Sequence, residues 1–195
     1  MNWNTNKAIK KNKKELFDDF FNFLKLAGKD MNDKKYFRLE IAGSVNSKQF
    51  ELNYCFELYH KIRSKMDENY PLTINGEVDK RGHEIISNLV GDVRPDFIVH
   101  KPKSMNQNLV VMEVKPFKNG TIDDLDEDVN KLKKFIYKAK YFRGIMLVFS
   151  NENIDDPPDN IKEKMKFLKG RIRSKLLFVW HGGVGFEPKI LNFKN

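Results

Sequence analysis

The stretch RPDFIVHKPKSMNQNLVVMEVKPFK, residues 94–118, reads as two short strands joined by a polar link. Residues 108–114, NLVVMEV, have the composition of a buried strand. Side chains alternate across a pleat, so Val111, Glu113 and Lys115 share one face while Val110, Met112 and Val114 share the other. A carboxylate and an ammonium therefore end an otherwise apolar strand. Residues 97–100, FIVH, form the other strand, entered through Pro95 and Asp96. Their link carries Pro102 among polar residues, as a connection between antiparallel strands should. Closing this hairpin brings Asp96 and Glu113 together.

Like charges brought together in a poorly solvated place repel, and one is driven toward protonation unless a cation joins them. Oxygen ligands from Asp96 and Glu113, with water and a backbone carbonyl such as that of Val114, suit a hard ion, Mg²⁺ or Mn²⁺, rather than zinc. Lys115 would stand beside such an ion, facing a water or a phosphate oxygen. Pro95-Asp96 followed by Glu113-Val114-Lys115 resembles the motif of the PD-(D/E)xK nuclease superfamily, which includes many restriction endonucleases. The predicted order over residues 47–150 is helix, strand, strand with Pro-Asp, strand with Glu-Val-Lys, helix, strand. It is similar to the αβββαβ core of the restriction-endonuclease-like fold.

The resemblance implies a mixed central sheet flanked by helices and Mg²⁺-dependent hydrolysis of DNA phosphodiesters. Metal would sit on Asp96 and Glu113, and Lys115 would orient the attacking water. The same resemblance implies a glutamate from the first core helix. On residues 47–66, Leu52, Cys55, Tyr59, Ile62 and Met66 form the expected inward stripe. Glu51 falls at the edge of that stripe and has apolar Tyr54 and Leu58 three and seven positions on, so it is the first choice; Glu57 is the second. All three signature positions carry the expected residue types, which favours catalysis. The alternative is a catalytically silent nucleic-acid-binding or assembly subunit that keeps the fold.

Composition sets the wider frame. The 195 residues are 40% hydrophobic and 12% aromatic, enough for a folded core. A lone cysteine, Cys55, excludes an internal disulfide framework and a multi-cysteine zinc site, and suits a reducing cytoplasm. No apolar run approaches the roughly 20 residues of a membrane span. The formal charge is +9, and Lys7, Lys10, Lys11, Lys13 and Lys14 carry +5 of it in the first 14 residues. Such a basic segment suits a polyanion, with a solvated lysine-rich surface as the plainer reading. Lys131 and the basic run containing Arg171 and Arg173 are further candidate phosphate contacts.

The remaining chain divides into a basic, helical N-terminal extension, residues 1–46, packed on a nuclease-like domain, residues 47–195. Within the extension a helix is expected over residues 14–27, stopping at Gly28, with a homodimer contact as its alternative role. Residues 36–45 stay open between strand and loop, and 84–90 between strand and helical turn. Residues 72–79 read as a strand carrying a further acid, Glu77. Thr121 or Asp123 is expected to cap a helix running to about residue 140, whose first-turn acids complement its dipole. Residues 144–150 and 175–180 are apolar strands, residues 161–168 a helix, and the Gly182–Gly185 run a turn. His60, His83, His100 and His181 lack paired metal-ligand spacing.

Overall fold

The computed structural model describes residues 11–38, 51–76, 94–170 and 172–193. Its helices are α1 (Lys13–Lys29), α2 (Glu51–Lys65), α3 (Leu125–Tyr137) and α4 (Asp159–Gly170). The strands are β1 (Thr73–Gly76), β2 (Phe97–His100), β3 (Asn108–Pro116), β4 (Arg143–Phe149), β5 (Leu176–His181) and β6 (Lys189–Ile190). They form a six-stranded sheet in sequential order. Pairings β1–β2, β2–β3 and β5–β6 are antiparallel, whereas β3–β4 and β4–β5 are parallel. The fold is therefore mixed α/β, with α3 and α4 serving as the crossovers that parallel neighbours require. Among the described residues from Glu51 to Phe149, the order is α2, β1, β2, β3, α3, β4. None of the helices formed by the described residues is long and apolar enough to cross a membrane.

Strand alternation sorts β3 into two cores. Val111 packs with Leu125, Val129, Leu132 and Met165, beneath α3 and α4. Val110, Met112 and Val114 pack with Phe20, Leu24, Leu58 and Ile62, beneath α1 and α2. Each such fully buried side chain contributes roughly 1.5–3 kcal/mol relative to exposure, and together they fix the register of β3. On α3 and at its two ends Ile122, Leu125, Val129, Leu132, Ile136 and Ala139 are buried. The helix start differs from expectation. Asp124, at the N-cap position, has φ of 52° and makes no side-chain cap, while Thr121 instead closes a turn with Lys118.

Helix α1 begins at an Asn12 capping box with Glu15, and it runs through Gly28 to a C-cap at Asp30. Gly28 is not a stop signal. A Cβ there would collide with the ring of Pro188, so glycine permits the chain near β6 to cross the helix closely.

The stripe on α2 is also rotated from the expected one. Leu52 is 45% exposed and Tyr59 half-buried, while Tyr54, Cys55, Leu58 and Ile62 face inward. Tyr54 stacks on Phe149 with ring centroids 3.8 Å apart, and its hydroxyl lies 2.6 Å from Nδ1 of the buried His181. A phenol so partnered loses little by burial, which lets Tyr54 displace Leu52 from the centre of the face. Burial pushes the His181 imidazole down to about 4, so it is neutral. The neutral ring can accept the Tyr54 proton donor at Nδ1.

Candidate active site

The site gathers where β2 begins and β3 ends. Antiparallel register sets Phe97 opposite Met112, which leaves Asp96 and Glu113 one step further along the same two strands. The Asp96 carboxylate accepts a hydrogen bond from the Val114 amide at 2.7 Å. That bond holds Asp96 against the Glu113-Val114-Lys115 segment. From α2, the Glu51 carboxylate accepts from Lys115 Nζ at 3.1 Å. On the opposite flank, α3 sends in Asp128 and Lys131.

Lys131 Nζ donates to Glu113 Oε2 at 2.7 Å and lies 3.0 Å from Asp128 Oδ1. Lys115 Nζ stands 3.1 Å from Asp128 Oδ2, close enough for an ion pair but not directed as a hydrogen bond there. Glu51, Asp128 and Glu113 thus form one ion-pair network with Lys115 and Lys131, and Asp96 adjoins it through the Val114 amide. Glu113 is 1% exposed and Asp128 5%, so these charges interact with little screening by solvent. Glu113 Oε1 is buried with no hydrogen-bond partner among the described residues.

Electrostatics follow from that burial. Desolvation pushes the Asp96 carboxyl up to about 6; the Val114 amide opposes the shift, Glu51 adds to it, and Lys131 and Lys115 oppose it. Burial, and then the neighbouring Asp96, hold Glu113 well above the usual carboxylate range against the pull of Lys131. Burial disfavours the charged form of Lys115, but Glu51 and Asp128 outweigh it and hold the group above its ordinary value. Lys131 is likewise raised, with Glu113 and Asp128 overcoming desolvation. Both lysines are therefore cations at neutral pH, suited to donate and orient rather than to abstract a proton.

Beside the network, a cleft of about 430 Å³ opens between α2, β1 and the start of β2. Glu51 and Asp96 form its acidic end, and Leu52 and the 63%-exposed Phe56 form its apolar side. A larger cavity of about 1050 Å³ lies between the start of α1 and the β2–β3 link, with Lys11, Asp19, Asp67 and Lys101 among its lining residues. It contains none of the residues of the acid–lysine network.

Not all predicted positions join the site. Glu57 pairs with Lys61 at 3.4 Å, one turn along α2, and makes no contact with Asp96 or Glu113. His100 is at the far end of β2 from Asp96, with Nε2 3.1 Å from Asn75 Oδ1. Lys11, just before the Asn12 cap, and Lys14 pair with Asp19 and Asp18 of α1, and Lys13 opens that helix on its exposed side. Lys7, Lys10, Glu77, His83, Arg171 and the side chain of Arg173 lie outside the described residues, as do residues 39–50 and 84–90. Asp128 was hidden among the first-turn acids of α3, although it directly precedes the inward-facing Val129.

Chemically, the carboxylates of Asp96 and Glu113 offer hard oxygen donors, and among the described residues no group takes up the buried Glu113 Oε1. Among the described residues, however, no three acid, histidine or cysteine side chains converge in an arrangement ready to hold a metal ion. The two lysines neutralise the acids instead. Comparison of the chain with protein-family models, curated proteins and solved structures finds no match.

Proposed function

We propose that this protein is a divalent-metal-dependent nuclease acting on DNA, of the PD-(D/E)xK type. The observation that carries this reading is the convergence of Asp96, Glu113 and Lys115 at the ends of two adjacent strands, with Asp96 bonded to the amide between the other two. The α2-β1-β2-β3-α3-β4 order supports it, because that is the order of the restriction-endonuclease-like core. Asp96 and Glu113 would hold Mg²⁺ or Mn²⁺, helped by the Val114 carbonyl and by Glu51 from α2. The buried, unpartnered Glu113 Oε1 fits that role.

A hard divalent ion supplies Lewis acidity toward a scissile phosphate and acidifies water. The chain's own residues supply the rest. Lys115, held between Glu51 and Asp128, presents a fixed ammonium that orients a water and offsets charge developing on phosphate oxygens. Asp96 and Glu113 fix the position of that chemistry at a rigid sheet end rather than on a loop. The basic N-terminal segment adds affinity for the polyanion.

Nicking of supercoiled plasmid in Mg²⁺, in Mn²⁺ and in EDTA tests the proposal. Cleavage should require metal, and Asp96→Ala and Lys115→Ala should each lower it by about 100-fold or more with the fold intact. Full activity in either variant refutes the assignment. The satisfied lysine pairs favour a second reading, a silent DNA-binding or assembly subunit of the same architecture. That reading predicts DNA retention with no cutting under any metal.

A further inference from the structure

Among the described residues Glu113 is in contact with one cation, Lys131, and not with Lys115. Lys131 reaches it from the middle of α3 at 2.7 Å, and the same ammonium lies 3.0 Å from Asp128 Oδ1. Asp128 and Lys131 are three residues apart on that helix, so their pairing is built into its face. Lys115, by contrast, divides its contacts between Glu51 and Asp128. The carboxylate that a divalent ion would have to engage is thus already engaged by a lysine of another element.

Lys131 holds Oε2 of Glu113 and leaves Oε1 open, so an ion entering at Oε1 would stand across one small buried carboxylate from the ammonium, where the two cations repel strongly. Building on the metal-dependent reading above, we infer that Lys131 is an internal competitor for the divalent ion at Glu113: the ammonium and the ion exclude one another there, and Asp128 retains the displaced ammonium. Asp128 is then a positioning residue. It keeps Lys131 within reach of the site after release from Glu113, where the ammonium can face a phosphate oxygen. The competition also sets the apparent metal affinity, because only the fraction of molecules with Lys131 off Glu113 is competent to bind.

Calorimetric titration of Mn²⁺ into the full chain and into Lys131→Met, Lys131→Arg and Asp96→Asn tests this directly. Lys131→Met should bind Mn²⁺ about tenfold more tightly than the unaltered chain, while Lys131→Arg, which keeps the charge, stays near it. Equal or weaker binding by folded Lys131→Met overturns the inference. Should that variant fail to fold, lysine-selective NMR on the unaltered chain decides. Saturating Mg²⁺ should shift the Lys131 side-chain resonance in the unaltered chain and leave it in place in Asp96→Asn; a resonance that ignores Mg²⁺ overturns the inference. Uptake of Mn²⁺ by the unaltered chain with no tightening in Lys131→Met removes only the competition. No uptake by the unaltered chain removes the nuclease reading with it.

Discussion

The Asp96 carboxylate is hydrogen-bonded to the Val114 amide at 2.7 Å, so the acid of one strand is anchored to the backbone between the acid and the lysine of the next. This anchoring holds a charge in a place that does not favour it. Replacing Asp96 by Asn keeps an oxygen for the Val114 amide and removes the buried charge. Asp96→Asn is expected to be more stable than the parent at pH 7.5 by about 1–3 kcal/mol, since each pKa unit of displacement is worth about 1.4 kcal/mol. Thermal unfolding should show a rise of roughly 2–4 °C per kcal/mol for a chain of this size. A lower melting temperature would show that the charged form is stabilised in the folded state instead.

The pH dependence has a defined sign. Asp96 moves from an ordinary 3.8 to about 6 on folding, so between these values the folded chain binds more protons than the unfolded one. Its contribution to stability is fully present below about 3.8 and is lost as pH rises through about 6. Metal uptake runs the other way, because a carboxylate ligand must be deprotonated. Mn²⁺ affinity is expected to weaken as pH falls, by up to about tenfold per pH unit below about 6 from Asp96 alone, and Glu113, whose carboxyl is also held up, steepens the dependence. Titrations at pH 5, 6, 7 and 8 check this, and a pH-independent affinity would exclude Asp96 from the ligand set.

The Tyr54–His181 pair should support the fold without touching the chemistry. Tyr54→Phe leaves the buried Nδ1 of a neutral imidazole without its donor. A loss of about 1–3 kcal/mol is expected in urea unfolding, with metal affinity unchanged. Unchanged stability would mean that water or another group replaces the hydroxyl.

The N-terminal segment can be tested without harming α1, because the helix starts from its Asn12 cap. Deleting residues 1–10 removes Lys7 and Lys10 and spares that cap. If these lysines contact phosphates, the slope of log affinity against log salt for DNA should fall by up to about 2. An identical slope would assign the DNA contacts elsewhere.

Much of the site was legible because it lies on strands. Period two decides where Val111, Glu113 and Lys115 point, and the position of Pro95 sets where the preceding strand begins. Helical faces were read less well. On α2 the apolar count favoured a stripe through Leu52 and Tyr59, but a buried partner for the Tyr54 hydroxyl, remote in sequence, turned the helix. No local pattern announces His181 in that role. Gly28 looked like a helix end because its reason, the close passage of Pro188, lies some 160 residues away. Strand β6 has two residues, too few to carry a period. Asp128 is hard to read for a different reason: a first-turn acid has a sufficient local explanation in the helix dipole, so nothing in the sequence demands another. Its spacing to Lys131 and its place next to Val129 were the available signal.

Lys115 touches Glu51 on α2 and Asp128 on α3, and these helices cover opposite faces of the sheet. Its side chain is therefore a clasp between two layers on opposite faces of the sheet. Whatever changes the charge at that clasp, cation or phosphate, alters the grip on both helices at once. Amide exchange at the first turns of α2 and α3 should then slow or quicken together on ligation, giving a readout of occupancy at a distance from the reacting atoms.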